Sequence, residues 1–284
     1  MASSDVLAIE RLAADDVVGG LALSDAAGWN QSADDWSFFL SAGAAFGVRD
    51  DAGALIAIAA ALPYDTATGW ISMVLVDAGH RHRGIASQLV DACVASLRDA
   101  GRTPVLDATP AGAAVYARIG FVAGFEFERW EGDGKAQASK APSPRSAVAA
   151  GPADAETLIA VDRSAGGVDR ALLLRSFLAR AETRAWLAPG DTGFAIRRAG
   201  RRAAQIGPIV AADDARALAL LDAALDGIVG RVFIDVPVHC KAVGDALMRR
   251  RFVRQRPFVR MALGDARAAA AHERVFSLAG PEFG

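Results

Sequence analysis

Between Trp130 and Val148 the sequence turns to Glu131-Gly132-Asp133-Gly134-Lys135 and then to Ala141-Pro142-Ser143-Pro144-Arg145, with almost no large apolar side chain. Such a stretch has too little to bury and reads as a linker. It constrains the chain more than any other feature, because it leaves two segments of ordinary domain size. The division expected is a first domain over residues 1–131, a linker over 132–147 and a second domain over 148–284.

The two segments repeat one order of elements. In the first, the apolar runs Ala44 to Val48 and Ala54 to Leu62 flank Arg49-Asp50-Asp51-Ala52-Gly53, a hairpin with a glycine in its turn, and a third strand follows at Trp70 to Val76. In the second, Gly193 to Arg198 and Ala203 to Val210 flank Ala199-Gly200-Arg201-Arg202 in the same way. Each hairpin leads into helix, strand, helix and strand. The first helix runs from about Gly84 to Ala100, with Ile85, Leu89, Cys93 and Leu97 on one face, and stops at Gly101. Its counterpart runs from Asp213 to about Leu225. The expected class is therefore α/β, in an α+β layering, with two tandem domains that each carry a central mixed sheet flanked by helices.

Composition narrows the function classes. Hydrophobic residues are 52% and charged residues 23% of the 284, so the chain has material for a core. Lys and Arg number 31 against 33 Asp and Glu, a net charge of −2, which gives no overall positive field for nucleic acid or an anionic membrane. Cys93 and Cys240, the only cysteines, form neither a disulfide framework nor a metal spacing. With no secretory leader and no apolar run of membrane-spanning length, the expectation is a cytoplasmic protein that binds no metal.

Chemistry concentrates where the apolar strand Met73-Val74-Leu75-Val76 runs into Asp77-Ala78-Gly79-His80-Arg81-His82-Arg83-Gly84 and a helix opens at once with Ile85-Ala86-Ser87. A helix N-terminus presents unpaired N–H groups and the positive end of the macrodipole, which suits a phosphate or pyrophosphate. Gly84 and Ala86 permit close approach, and Arg81 and Arg83 add charge. No Gly-Lys-Ser/Thr follows, and only one glycine of the dinucleotide fingerprint is present, so neither of those phosphate loops is indicated.

Arg81-His82-Arg83-Gly84-Ile85-Ala86 after its strand resembles the Arg/Gln-x-x-Gly-x-Gly/Ala acetyl-CoA motif of the GNAT acetyltransferase superfamily, and Tyr116-Ala117-Arg118-Ile119-Gly120-Phe121 resembles the Tyr-x-x-x-Gly-Phe ending of the same fold. The resemblance implies transfer of an acetyl group from acetyl-CoA to a primary amine of a small molecule. It also implies a coenzyme A site on Met73, Val74, Leu75 and Val76, on Arg81, His82, Arg83, Gly84, Ile85, Ala86 and Ser87, and on Thr109, Gly112 and Tyr116. Pantetheine would pair with the strand backbone near Leu75 and Val76, and Tyr116 would protonate the leaving thiolate, a task a phenol of pKa about 10 can perform in a dry site.

An amine nucleophile must lose protons, and many family members carry a glutamate on the strand before the turn. Here that strand reads Trp70-Ile71-Ser72-Met73 and has no carboxylate. Asp107 is the substitute base, in competition with a capping role and with bulk water. Trp29, Asn30 and Gln31 are placed in the acceptor wall, as are Asp235 and His239, for which ending a strand and capping a helix is the competing and favoured reading. Trp36 reads as core and Asp34 as a helix cap, while His80 and His82 read as a solvated turn.

Aligning Phe252 with Phe121 sets Leu247 opposite Tyr116, and the second segment enters its helix without an Arg-x-x-Gly turn. It resembles a degenerate GNAT repeat; some tandem acetyltransferases end in a segment like Ala279-Gly280-Pro281-Glu282. Arg249, Arg250, Arg251, Arg254, Arg256 and Arg260 form an arginine run that could meet an anion or face solvent. A non-catalytic acyl-CoA sensor and, more remotely, a nucleotide-binding enzyme are the competing functions. The sequence fixes no oligomeric state.

Overall fold

The computed structural model describes residues 8–65, 67–134, 147–166 and 168–284. The chain forms two compact units that divide between Pro104 and Val105.

Unit 1 holds β1 (Glu10–Arg11), α1 (Val17–Ala26), α2 (Ala33–Ala42), β2 (Ala44–Arg49), β3 (Leu55–Pro63), β4 (Thr68–Val76) and α3 (Ile85–Asp99). Its strands pair in sequence order, each antiparallel to the next. The continuous apolar run of β3 fits a strand covered on both faces: α1 and α2 pack on it, and so does α3. The N-cap of α2 is Ser32, not Asp34. Ser32 Oγ accepts from the Asp35 N–H at 3.3 Å and the Asp35 carboxylate accepts from the Ser32 N–H at 2.9 Å, a reciprocal box that satisfies two donors at once. Trp36 is wholly buried, edge-on to Phe39, with its indole N–H donated to Ser24 Oγ, so it belongs to the core. In α3 the expected stripe of Ile85, Leu89, Cys93 and Leu97 is buried.

Unit 2 begins within β5 (Thr103–Ala108) and continues through α4 (Pro110–Arg118), β6 (Phe121–Asp133), β7 (Val148–Ala150), α5 (Ala155–Gly166), α6 (Ala171–Leu178), β8 (Arg184–Leu187), β9 (Gly193–Arg198), β10 (Ala204–Ala211), α7 (Asp214–Leu225), β11 (Arg231–Pro237), α8 (Lys241–Arg249), β12 (Val253–Leu263) and β13 (Val275–Ser277). Of the linker expected at 132–147, Gly132 and Asp133 end β6, and residues 135–146 lie outside the described residues.

The order β-α-α-β-β-β-α-β-α-β occurs twice, as β1 to β6 and again as β7 to β12. Both expected hairpins exist, as β2–β3 and β9–β10, but they are not equivalent. The counterpart of β2–β3 is β8–β9. Strand β8 is only four residues long and escapes a reading based on periodicity.

In unit 2 the strands lie in the order β5-β12-β6-β11-β10-β9-β8-β7, with β13 added to β10. The last strand of the second copy, β12, pairs with β5 of the first, from Val259 opposite Ala108 to Ala262 opposite Val105. The last strand of the first copy, β6, pairs with β11 of the second, with Arg129 opposite Asp235. The copies have thus exchanged closing strands, and each exchange carries one buried ion pair. Arg260 Nε and Nη2 donate to the two oxygens of Asp107, both at 2.9 Å, and Arg129 Nε and Nη2 donate to those of Asp235, both at 2.8 Å. Arg129 and Arg260 each stand eight residues after the aligned Phe121 and Phe252, so the two pairs are repeats of one another.

Candidate active site

The regular ladder of β4 against β3 runs through Ser72 opposite Ala60 and resumes with Leu75 opposite Ile58, so Met73 and Val74 together face Ala59. This is a β-bulge with Met73 at φ 53°, and it interrupts the backbone pairing just before the strand ends. Downstream, Asp77 accepts from the Gly79 N–H at 2.9 Å and meets His80 Nδ1 at 3.1 Å. His80, and then the Gly79 amide, hold this exposed carboxyl below its usual range, so His80 serves the turn. Arg81 Nε donates to the carbonyl of Val76 at 3.2 Å, folding the side chain back over the strand end. His82 at φ 64° and Gly84 at φ 77° reverse the chain into α3.

Gly84 is the N-cap of α3, in the left-handed conformation, and supplies no side-chain cap. The first turn of α3 contains no acidic residue, and Arg81, Arg83, Gly84, Ala86 and Ser87 are exposed. A Cβ at position 84 would meet nothing nearer than Gln88 Nε2 at 4.0 Å, so it is the backbone angle that calls for glycine here. The result is a helix N-terminus whose N–H groups and dipole lie open, preceded by a turn that carries two exposed arginines, a donor set that fits a diphosphate.

Between α1 and α2, Trp29 is half-buried and Asn30 and Gln31 are buried; Gln31 Oε1 has no hydrogen-bond partner. In unit 2, Thr109 caps α4 by accepting from the Gly112 N–H at 3.4 Å. A Cβ on Gly112 would lie 3.3 Å from Tyr116 Cε2, so the missing side chain seats the ring, which also meets Phe121 at 5.9 Å between centroids. Tyr116 itself is half-buried, on a helix with no buried residue.

Asp107 neither caps α4 nor stands free: both its oxygens are held by Arg260. Burial pushes its pKa up, and the guanidinium pulls against that shift. Asp235 is likewise saturated by Arg129, with Gln205 Nε2 adding a third donor at 2.9 Å. His239 is exposed on the turn after β11. The arginine run is not one surface, since Arg260 pairs with Asp107, Arg250 with Asp222 and Arg254 with Glu128. Alignment of the two Phe residues was the signal that could have singled out Arg129 with Arg260 beforehand. Cys93 and Cys240 are both buried, and burial pushes their thiols up to about 12, away from the thiolate form. Among the described residues no His, Cys, Asp and Glu group could hold a metal, and no helix is long and apolar enough to cross a membrane.

Comparison with known proteins assigns both copies. Residues 15–121 match the model of the acetyltransferase (GNAT) family, and residues 158–277 match a second model, of an acetyltransferase (GNAT) domain. The chain belongs to the GNAT acetyltransferase family. A Pyrococcus horikoshii protein described as a candidate acetyltransferase is similar in fold, with TM-score 0.81 and 19% identity over 99% of this chain and 96% of that one. A tandem GNAT protein from the clavulanic acid biosynthesis pathway aligns with TM-score 0.66 and 18% identity over 90% and 98% of the two chains. A GCN5-related N-acetyltransferase from Kribbella flavida gives 0.59 and 19% over 92% and 73%. No curated relative matches the sequence.

The second copy of this GNAT protein has the same strand and helix without the opening between them. Eight residues, 77–84, join β4 to α3, whereas only Ala212 and Asp213 join β10 to α7. Asp213 caps α7 by accepting from the Arg216 N–H at 2.9 Å, which places a carboxylate where the first copy leaves bare amides. The backbone of β10 beyond Ile206 is used by β13: Ile209 pairs with Ser277, Val210 with Val275, and the Ala211 N–H donates to the carbonyl of Arg274. On the other side the Leu278 N–H donates to the carbonyl of Asp235 on β11, so the segment after β12 fills the divergence of β10 from β11. Leu247, opposite Tyr116 in the alignment, is a wholly buried core residue. This donor set does not fit an anion.

Proposed function

We propose that the chain is an N-acetyltransferase that uses acetyl-CoA to acetylate the primary amine of a small molecule, with the coenzyme on the first copy, residues 1–131, and a second copy, 148–284, that has lost that site. The observation that carries this reading is the open N-terminus of α3 behind Gly84, flanked by Arg81 and Arg83. The N–H groups of Gly84 to Ser87 and the two guanidinium groups would hold the diphosphate, and the backbone from Met73 to Val76, where the bulge lies, would hold the arm. The family resemblance also assigns His82, Thr109 and Gly112 to the coenzyme. When bound, acetyl-CoA supplies an activated thioester at which the amine nitrogen forms a bond to the acyl carbon while the C–S bond breaks and its electron pair leaves on sulfur.

Tyr116 takes the acid's role through its match to the family ending: Oη gives a proton to the departing sulfur and regains one from water. Asp107 is assigned to architecture and not to the base, because both its oxygens are engaged and the second copy keeps the equivalent Asp235–Arg129 pair without the coenzyme turn. The amine's proton then goes to water. Trp29, Asn30 and Gln31 remain the acceptor wall, and Asp235 leaves it for the same reason as Asp107.

The lack of an unengaged carboxylate at β4 or β5 favours one alternative, a sensor that binds acyl-CoA without transfer. Calorimetry with acetyl-CoA, followed by thiol release with a panel of amines, tests both. Binding at one site per chain with turnover supports the transferase. Binding with no turnover for any amine supports the sensor, and no heat with acetyl-CoA or CoA removes both.

A further inference from the structure

Among the described residues of unit 1, two buried oxygen acceptors are left unpaired. Ser72 Oγ belongs to a residue 6% exposed and Gln31 Oε1 to one 4% exposed, and neither has a hydrogen-bond partner in the protein. Buried polar atoms are almost always satisfied, so two exceptions in one small unit call for a reason. Their placement supplies one. A Cβ on Gly69 would lie 2.3 Å from Leu97 Cδ2 of α3, so strand alternation turns residues 69 and 71 toward α3 and Ser72 to the opposite face. Helix α1 packs on β3 and β4, α2 packs on β2 and β3, and the loop that joins them carries Gln31. Ser72 is also the last regular residue before the Met73 bulge, in the strand where the sequence lacks a carboxylate.

Both atoms accept hydrogen bonds and neither carries charge. No ionisable side chain occurs on β3 or β4. On the elements packed against them, α1 contributes half-buried Asp25, and α2 contributes exposed Asp34 and buried Asp35, the latter tied into its own capping box. The charged residues of α3, Asp91, Arg98 and Asp99, belong to the helix on the other face. A desolvated ammonium needs an opposite charge, whereas a neutral amine needs only acceptors for its N–H groups.

Resting on the acetyltransferase reading, we propose that Ser72 Oγ and Gln31 Oε1 seat the acceptor as an uncharged amine. The substrate class is accordingly one of weakly basic amines, such as an α-amino group or an amino sugar, and not strongly basic alkylamines. An α-amino group has a pKa of about 8 and a lysine-type amine about 10.4, so near neutral pH the uncharged fraction differs by about 300-fold. Selection of the neutral form turns that difference directly into kcat/KM.

The test compares glucosamine and glycinamide with propylamine, by thiol release across a pH series and by calorimetry of amine binding in two buffers of different ionisation enthalpy. The expected result is a preference of about 300-fold for the weak bases near neutral pH, narrowing as pH approaches the alkylamine pKa, with proton release on binding equal to the charged fraction in solution. Ser72→Ala removes a buried unpaired oxygen, so it should raise Tm while weakening glycinamide binding about tenfold, the loss of one hydrogen bond. Gln31→Glu should shift preference toward propylamine. Alkylamines preferred near neutral pH, or Ser72→Ala binding glycinamide as well as the parent, overturns this proposal alone. No heat with acetyl-CoA overturns the acetyltransferase reading and takes this one with it.

Discussion

The two copies differ where a helix begins. Both run a buried strand into an amphipathic helix, yet α3 opens behind a glycine at φ 77° with no cap, while α7 is closed by the carboxylate of Asp213. A helix N-terminus has one set of spare amides, and it can serve the chain's own anion or a foreign one but not both. The strands differ at their edges: β4 and β10 carry the same kind of bulge against β3 and β9, but β10 spends its outer backbone beyond it on β13. In contrast, the Asp–Arg pairs of the exchanged strands are alike in both copies. What the copies share is the ion-paired architecture, and what they do not share is the open helix start.

The largest effects should fall on the shared feature. Asp107→Ala and Asp235→Ala each strip a buried guanidinium of its bidentate carboxylate and should cost about 3–5 kcal/mol in denaturant unfolding, nearly equally in the two copies. The double replacement Asp107→Leu with Arg260→Met should recover most of the loss. An Asp107 variant of full stability and no turnover would break the comparison and return Asp107 to the role of base. Next, Tyr116→Phe should lower kcat about 100-fold or more while acetyl-CoA affinity in calorimetry stays unchanged, since a general acid acts on the step and not on binding.

Gly84→Asp copies the α7 cap into α3. Lost charge-assisted contacts and a strained left-handed residue together predict acetyl-CoA binding weaker by on the order of 100-fold. The reverse change, Asp213→Ala, should create no second coenzyme site and should lower Tm slightly through loss of the cap. The Arg216 amide, and after it the Arg216 side chain, hold the Asp213 carboxyl below its usual range. Its cap therefore contributes fully above the ordinary carboxylate pKa of about 3.9 and is lost as pH falls through the lowered value. Two acetyl-CoA molecules per chain in the Asp213→Ala protein would mean that β13 does not close the second copy.

Much of this was legible beforehand where the signal is contiguous. The strand, the Arg81 to Gly84 turn and the apolar stripe of α3 are fixed by period and by backbone angles, both local properties that neighbouring residues encode. The repeated order of elements followed from the same patterns, with the short β8 and the two-step shift of the α2 cap from Asp34 to Ser32 as the misses. Asp107 was singled out as a base because its place at a strand end was visible and its partner was not.

That partner lies 153 residues away on a strand exchanged between copies. Hydrophobic alternation states which face of a strand is buried, and nothing in it names the neighbour, so β12 reads identically beside β5 or beside β11. By itself the sequence determined the two copies, the open helix start and the position of Tyr116. Only tertiary structure decided the strand exchange, the engagement of Asp107 and Asp235, and the unpaired oxygens of Ser72 and Gln31, because each depends on which distant atoms the packed chain brings into hydrogen-bonding range and which it leaves without a donor.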